Sequence, residues 1–133
     1  MSNFDRSTTE GAARYFQQCV RNGDVGGALS CFAAEAVYVV TPGTVVKGTA
    51  EIRVGLERLC AMRPNLQAQR CLALEVGDHA MWVDEWSLQA TLPDGSALDM
   101  KGVSSDILRR QPDGTWVYLV DNPYGAAALD AAD

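Results

Sequence analysis

Carboxylates are the groups in this sequence best placed to do chemistry, because the alternatives are few. His79 is the only histidine and sits in a "GDH" turn. That placement argues against Ser-His-Asp and Cys-His sites and against metal clusters that need several imidazoles. No P-loop, GxGxxG or GxSxG motif is present. Acid–base work therefore falls to carboxylates, tyrosines or a lysine of shifted pKa. Asp121 ends the apolar run "WVYLVD" just before Asn122-Pro123, and Asp106 opens "DILRR". Glu85, in "MWVDEWSL", is a third candidate.

Strand alternation decides which of these acids share a face. Val117, Leu119 and Asp121 fall on one side of their run, opposite Trp116, Tyr118 and Val120. The first set is expected beneath the helices. Asp106 shares a face with Ser104 and Leu108, and Met81, Val83 and Glu85 oppose Trp82, Asp84 and Trp86. Both faces are rich in apolar groups, so burying one leaves Trp82, Trp86, Trp116 or Tyr118 to be covered from elsewhere. A second subunit is the plainest cover. Each acid also has a non-catalytic alternative. Asp121 would accept backbone N–H groups in the closing turn, Asp106 would pair with Arg109 or Arg110, and Glu85 would be an ordinary rim carboxylate.

The elements that position these residues are helical at the N-terminus and extended after it. Residues 1–6 read as a frayed start, and "STTE" at 7–10 matches a capping box between Ser7 and Glu10. Ala12, Phe16, Cys19 and Val20 then recur at helical spacing. "NGD" at 22–24 stops that helix, with Asp24 capping a short second one through Val25, Ala28, Leu29 and Phe32. "AVYVVT" at 36–41 predicts a strand and "VVK" a brief return. Thr49 is expected to cap a third helix, with Ile52, Leu56 and Leu59 inward, ending before Pro64. From there the period becomes two, predicting strands near 66–76, 80–91, 97–110 and 115–121. The fold class is α+β, three helices on one face of a curved, mostly antiparallel sheet.

A chain of 133 residues is expected to form one domain, 1–133, with a core that needs no staple. Seventeen acidic against eleven basic residues, net −6, oppose binding to nucleic acid and to anionic membranes. The start lacks the basic and apolar regions of a secretory signal, and no apolar run approaches a membrane span, so a cytoplasmic location is expected. Cys19, Cys31, Cys60 and Cys71 form no CxxC pair and read as small buried hydrophobes.

The order of "NGD…ALSCFAAEAVYV", "KGTAEIR" and "DILRRQPDGTWVYLVDNPYG" resembles the NTF2-like superfamily, within it the SnoaL-like, ketosteroid-isomerase-related proteins of bacteria. The resemblance covers nearly the whole chain. It implies a cone-like α+β fold whose concave sheet and helices enclose one apolar pocket, usually in a homodimer; a small apolar ligand, no cofactor or metal, and a dimer through the outer sheet face are expected with it. The superfamily hosts isomerases, cyclases, epoxide hydrolases, dehydratases and non-catalytic binders, so fold alone does not give the reaction. The isomerases' oxyanion-hole tyrosine falls at Phe16 and their general-base aspartate at Val40, so a steroid isomerase of the usual kind is not expected. Their second oxyanion-hole acid matches Asp106. Asp121 matches the habit of SnoaL-type cyclases and limonene-epoxide-hydrolase-like members, which place an acid late on the final strand. Asp121 and Asp106 are thus the candidate catalytic pair, with Glu85, Phe16, Tyr38, Val40 and Leu119 as candidate ligand contacts. Clustered carboxylates in an apolar pocket repel one another, so at least one should keep its proton near neutrality. The expected chemistry is cofactor-independent proton transfer on a small carbonyl or epoxide compound. The alternative is a passive ligand-binding or dimerisation module.

Overall fold

The computed structural model describes residues 4–130. Helix α1 spans Thr9–Arg21, α2 Val25–Leu29 and α3 Thr49–Ala61. The α1 cap lies one residue later than expected. Thr8, not Ser7, accepts from Gly11 N–H at 2.9 Å. Ser7 is engaged instead by the Asp5 carboxylate through both its N–H and its hydroxyl, and Glu10 pairs with Arg14 at 2.8 Å. Residues 4–6 are not frayed, since the Arg6 carbonyl accepts from Trp116 N–H at 2.9 Å; residues 1–3 of the expected frayed start lie outside the described residues. Gly23 takes the positive φ of 70° that ends α1, and Asp24 caps α2 as expected. Gly48 is the N-cap of α3 without a side-chain bond, and Thr49 is its first helical residue rather than its cap.

Seven strands follow the α+β expectation: β1 Phe32–Thr41, β2 Thr44–Lys47, β3 Asn65–Val76, β4 His79–Thr91, β5 Ala97–Val103, β6 Asp106–Arg110 and β7 Trp116–Asp121. They form one sheet in the order β2-β1-β7-β6-β4-β3, with β5 also paired to β4. The sheet is mixed, because β1 and β7 run parallel while the other pairs are antiparallel. Pairing with β7 draws β1 back to Phe32, four residues before the expected start, through the register Phe32–Tyr118.

The expected single strand at 97–110 is broken at Ser104-Ser105. Both halves pair with β4, β5 along 85–91 and β6 along 79–82. Ser104 pins the break, donating its N–H to the Asp84 carbonyl at 2.8 Å and accepting Asp84 N–H on its hydroxyl at 3.0 Å. A short 3-10 helix, Gly125–Asp130, ends the described chain.

The helices cover the concave face, where Val20, Ile52, Leu56 and Leu108 are almost fully buried. Trp82, Trp86, Trp116 and Tyr118 are buried here too, within the chain itself. They do not need a second subunit to cover them. The outer face carries aliphatic residues instead, including Leu72, Leu74 and Met81. Cys19, Cys31 and Cys60 are the buried hydrophobes expected, but Cys71 is exposed on β3, where Sγ–H lies 3.7 Å from Glu10 Oε1.

Candidate functional site

A predominantly apolar cavity of about 350 Å³ lies between the helices and the concave face of the sheet. Phe16 from α1, Tyr38 and Val40 from β1, and Gly55 and Leu59 from α3 contribute to its wall. Opposite them stand Trp86 and Leu88 of β4, Met100 of β5 and Tyr118 of β7. Into this lining three carboxyl groups project: Asp84, Asp106 and Asp121. All three are nearly inaccessible, at 5%, 2% and 5% exposure.

Asp121 reaches the cavity for a reason that simple alternation misses. Ile107 pairs with Val120, but the next residue, Leu108, pairs with Tyr118. One extra residue in β7 is therefore accommodated as a bulge, and a bulge reverses which face the following residues present. Asp121 consequently joins Tyr118 in the lining, whereas Leu119 does not line the cavity. The expected shared face of Val117, Leu119 and Asp121 is thus corrected.

Glu85 is corrected as well. Its carboxylate is bridged by Arg70, with Nη2–Oε2 at 2.9 Å, and it lies outside the cavity lining. The neighbouring Asp84 occupies the position that sequence reasoning left unused. Its signal was available: Trp82 and Trp86 flank it at two-residue spacing, and a face carrying two tryptophans is the face to bury. Of the remaining candidates, Phe16, Tyr38 and Val40 all line the cavity.

The carboxyl groups differ in their partners. Asp84 Oδ2 accepts from Trp82 Nε1–H at 3.0 Å and more weakly from Gln17 Nε2–H at 3.4 Å, while the Ser104 hydroxyl lies 3.4 Å from Oδ1. Burial pushes its pKa up, and the Trp82 and Ser104 bonds oppose that rise. Asp106 Oδ1 accepts from Asn122 N–H at 2.7 Å. The closing turn thus takes its carboxylate acceptor from Asp106, not from Asp121. The Asp106 carboxyl is pushed up to about 7, chiefly by burial, against the bonds from Ser104 and Asn122. Asp121 is raised well above the usual carboxylate range by burial and then by the charge of Asp106. Both members are raised, and the charge of Asp106 beside Asp121 holds the proton on Asp121.

The alternative ion pairs are taken by other residues. Arg109 binds Glu35 at 2.8 Å, and Arg110 binds Asp78 at 2.7 Å. Two phenols complete the polar lining. Among the described residues, neither the Tyr38 nor the Tyr118 hydroxyl has a hydrogen-bond partner, and burial raises the pKa of both. Tyr124 closes one side, its hydroxyl donating to the Val40 carbonyl at 2.7 Å, while Trp86 Nε1–H holds the Pro123 carbonyl at 2.7 Å. No group of three or more His, Cys, Asp or Glu among the described residues is arranged to hold a metal.

Such a site can give a proton from Asp121, take one on Asp84, and hold an oxygen atom against O–H donors in a poorly hydrated space. Solved structures share the architecture around it. A candidate aromatic ring hydroxylase from Novosphingobium aromaticivorans is similar at TM-score 0.79 and 20% identity, covering 88% of this chain and 85% of that one. An NTF2-like protein with a cystatin-like fold from the same organism matches at TM-score 0.74 and 16% identity, over 97% and 89%. A candidate ketosteroid isomerase from Shewanella frigidimarina matches at TM-score 0.74 and 17% identity, over 88% and 94%. At these identities the likeness is one of fold. No curated protein matches in sequence. The family model for the SnoaL-like domain matches residues 12–119. The chain belongs to the SnoaL-like family and has the NTF2-like, cystatin-like fold.

Proposed function

We propose that the protein is a cofactor-independent acid–base enzyme acting on a small, mostly apolar carbonyl compound. The observation that carries this reading is the buried Asp121–Asp106 pair opening into an apolar cavity beside a third, separately bonded carboxyl, Asp84. Asp121 is the proton donor to the carbonyl oxygen and Asp106 the anion that holds its proton in place. Asp84, which receives the indole N–H of Trp82, takes the proton from the carbon next to the carbonyl. The enol so formed takes the proton held by Asp84 back at a different carbon along a conjugated double bond and returns its hydroxyl proton to Asp121, so the reaction is an isomerisation with no net change in protons or electrons. Burial raises both groups, but Asp121 is raised further by the charge of Asp106 while the Trp82 and Ser104 bonds hold Asp84 down, and that difference in surroundings is what assigns donor and base. Epoxide opening would use the same donor, Asp121, and family resemblance supports it equally.

The test is hydrogen–deuterium exchange next to the carbonyl, followed by NMR, with 3-cyclohexen-1-one and larger cyclic ketones as probes. The wild type is expected to exchange and isomerise faster than buffer. Asp121→Asn and Asp84→Asn should each lose about 100-fold or more, and Asp106→Asn a comparable amount. If the variants bind the probes and turn them over like the wild type, the catalytic reading fails. The passive-binder reading draws on the apolar residues Phe16 and Val40 in the lining.

A homodimer through the outer sheet face is part of the same proposal. Leu74, Met81, Ile107, Val120 and Val37 form one cross-strand row over five strands. Leu74 and Met81 are 53% and 46% exposed. A continuous aliphatic row on a sheet face suits a second copy related by a two-fold axis. No helix among the described residues is long and apolar enough to cross a membrane, and the net charge of −6 disfavours nucleic acid. A cytoplasmic location is proposed with it.

A further inference from the structure

The cavity wall contains one cationic side chain, Arg58 in the last turn of α3. Its setting differs from that of seven of the other eight arginines; among the described residues Arg63 is likewise without an ion pair or hydrogen bond, but it lies outside the lining. Arg14, Arg53, Arg70, Arg109 and Arg110 are each ion-paired with a carboxylate. Arg6 and Arg21 donate to the Ser30 and Leu66 carbonyls. Arg58 has no hydrogen bond and no carboxylate within 4.0 Å among the described residues, in a chain where acids outnumber bases by seventeen to eleven. It does not serve the buried acids either. Burial raises Asp84, burial and the neighbouring carboxylates raise Asp121, and Arg58 offsets neither.

Exposure orders the lining from floor to mouth. Asp84, Asp106 and Asp121 are buried, Leu59, Met62, Leu98 and Met100 are half-buried, and Arg58 is exposed. A molecule filling the space would meet oxygen donors at its inner end, hydrocarbon along its body, and one guanidinium where it emerges. We infer that the ligand is an apolar monocarboxylate, seated with its carboxylate on Arg58 and its body along the cavity toward the acid floor. This deepens the proposed function and rests on it for the existence of a small-molecule site.

The charge and geometry of the mouth favour a carboxylate over a phosphate. One guanidinium matches one carboxylate through two parallel N–H bonds. Arg58 also lies at the C-terminal end of its helix, where the partial negative charge of the backbone carbonyls opposes a dianion. The protein's net negative charge repels any anion at long range, so retention must come from this local contact. Since Arg58 is solvent-exposed, the gain is modest, about fivefold in affinity.

The experiment uses 4-phenylbutanoate, its amide 4-phenylbutanamide and the amine 4-phenylbutylamine, which share one apolar body. Binding is read by fluorescence of Trp86, which lines the cavity. The wild type is expected to bind the carboxylate about fivefold tighter than the amide, and the amine weakest of the three. Arg58→Gln should remove the preference for the carboxylate while leaving amide affinity within about twofold, and Arg58→Glu should reverse it. Raised salt should weaken only the carboxylate. The inference is overturned if the wild type binds carboxylate and amide equally, or if Arg58→Gln keeps the preference. Those outcomes leave acid–base chemistry on a neutral ligand standing. Binding of none of the compounds overturns the inference together with the small-molecule site, and the ketone exchange assay then reports separately on catalysis.

Discussion

Replacing Asp121 by asparagine keeps the shape of the side chain and its ability to donate a hydrogen bond to Asp106, but removes a titrating proton from the cavity floor. In the folded chain Asp121 and Asp106 hold protons at pH values where the unfolded chain has already released them. Folding therefore takes up protons, and stability falls as the pH rises. The window opens near the ordinary value of 3.8 and closes for Asp106 at about 7, with Asp121 still protonated beyond it. Each excess proton contributes a slope of about 1.4 kcal/mol per pH unit. Between about pH 5 and 7 one proton amounts to roughly 3 kcal/mol, and two at most to roughly twice that.

Few of the other shifted carboxylates act in this range. Glu35, held at about 2 by Arg109, gives stability that is complete above its ordinary value and lost only in stronger acid. Cys31, pushed up to about 12 by burial, acts only in strong base. Asp84 is also raised and remains present in both proteins, so it cancels in the comparison. Urea unfolding followed by tryptophan fluorescence from pH 5 to 8 should show the wild type losing stability steadily. Asp121→Asn should give a slope shallower by about one proton and be the more stable protein at the alkaline end. A wild-type profile that is flat or rising, or a variant profile parallel to it, would refute the shared-proton pair.

Other parts of the structure give separate outcomes. Trp82→Phe removes the indole donor to Asp84 Oδ2 and is expected to cost about 1–3 kcal/mol in urea unfolding at neutral pH. Gly125→Ala should destabilise by more than about 2 kcal/mol, because φ is +55° there and a Cβ would collide with the Val103 carbonyl oxygen; the loss is read as a drop in urea midpoint. Leu56→Ala, at a fully buried position on α3, should cost about 2–5 kcal/mol by the same measurement. Met81→Glu places a charge in the middle of the outer aliphatic row and should convert a dimer to monomer in analytical ultracentrifugation, with the cavity acids unaffected.

Much of the fold follows from local rules that a sequence carries openly. Apolar residues at helical spacing specify α1 and α3, Asp24 caps α2, and period-two runs mark the strands. The acids were legible for the same reason. Asp106 and Asp121 interrupt strands otherwise suited to burial, and an aspartate there needs a special environment. What local rules could not supply is how strands meet. The break at Ser104-Ser105 exists because two successive segments must both pair with β4, and Ser104 satisfies the Asp84 backbone at the junction. The start of β1 at Phe32 likewise comes from a parallel partner more than 80 residues away in the register Phe32–Tyr118.

The site divides in the same way. Composition and spacing alone narrowed acid–base chemistry to carboxylates, tyrosines or a lysine and pointed first to the carboxylates in strands, since the chain has a single histidine and its scattered cysteines form no CxxC pair. Which carboxylates meet was decided by tertiary structure. Alternation is exact only while each residue has one cross-strand partner. The bulge in β7 breaks that count between Leu108 and Ile107, turns Asp121 into the cavity and leaves Leu119 out of it. On β4 the alternation held, and the two tryptophans marked which face to bury; the structure buries Trp82 and Trp86 within the chain itself. That choice buries Asp84 and leaves Glu85 to Arg70. A bulge is a property of paired strands, and no single strand encodes it.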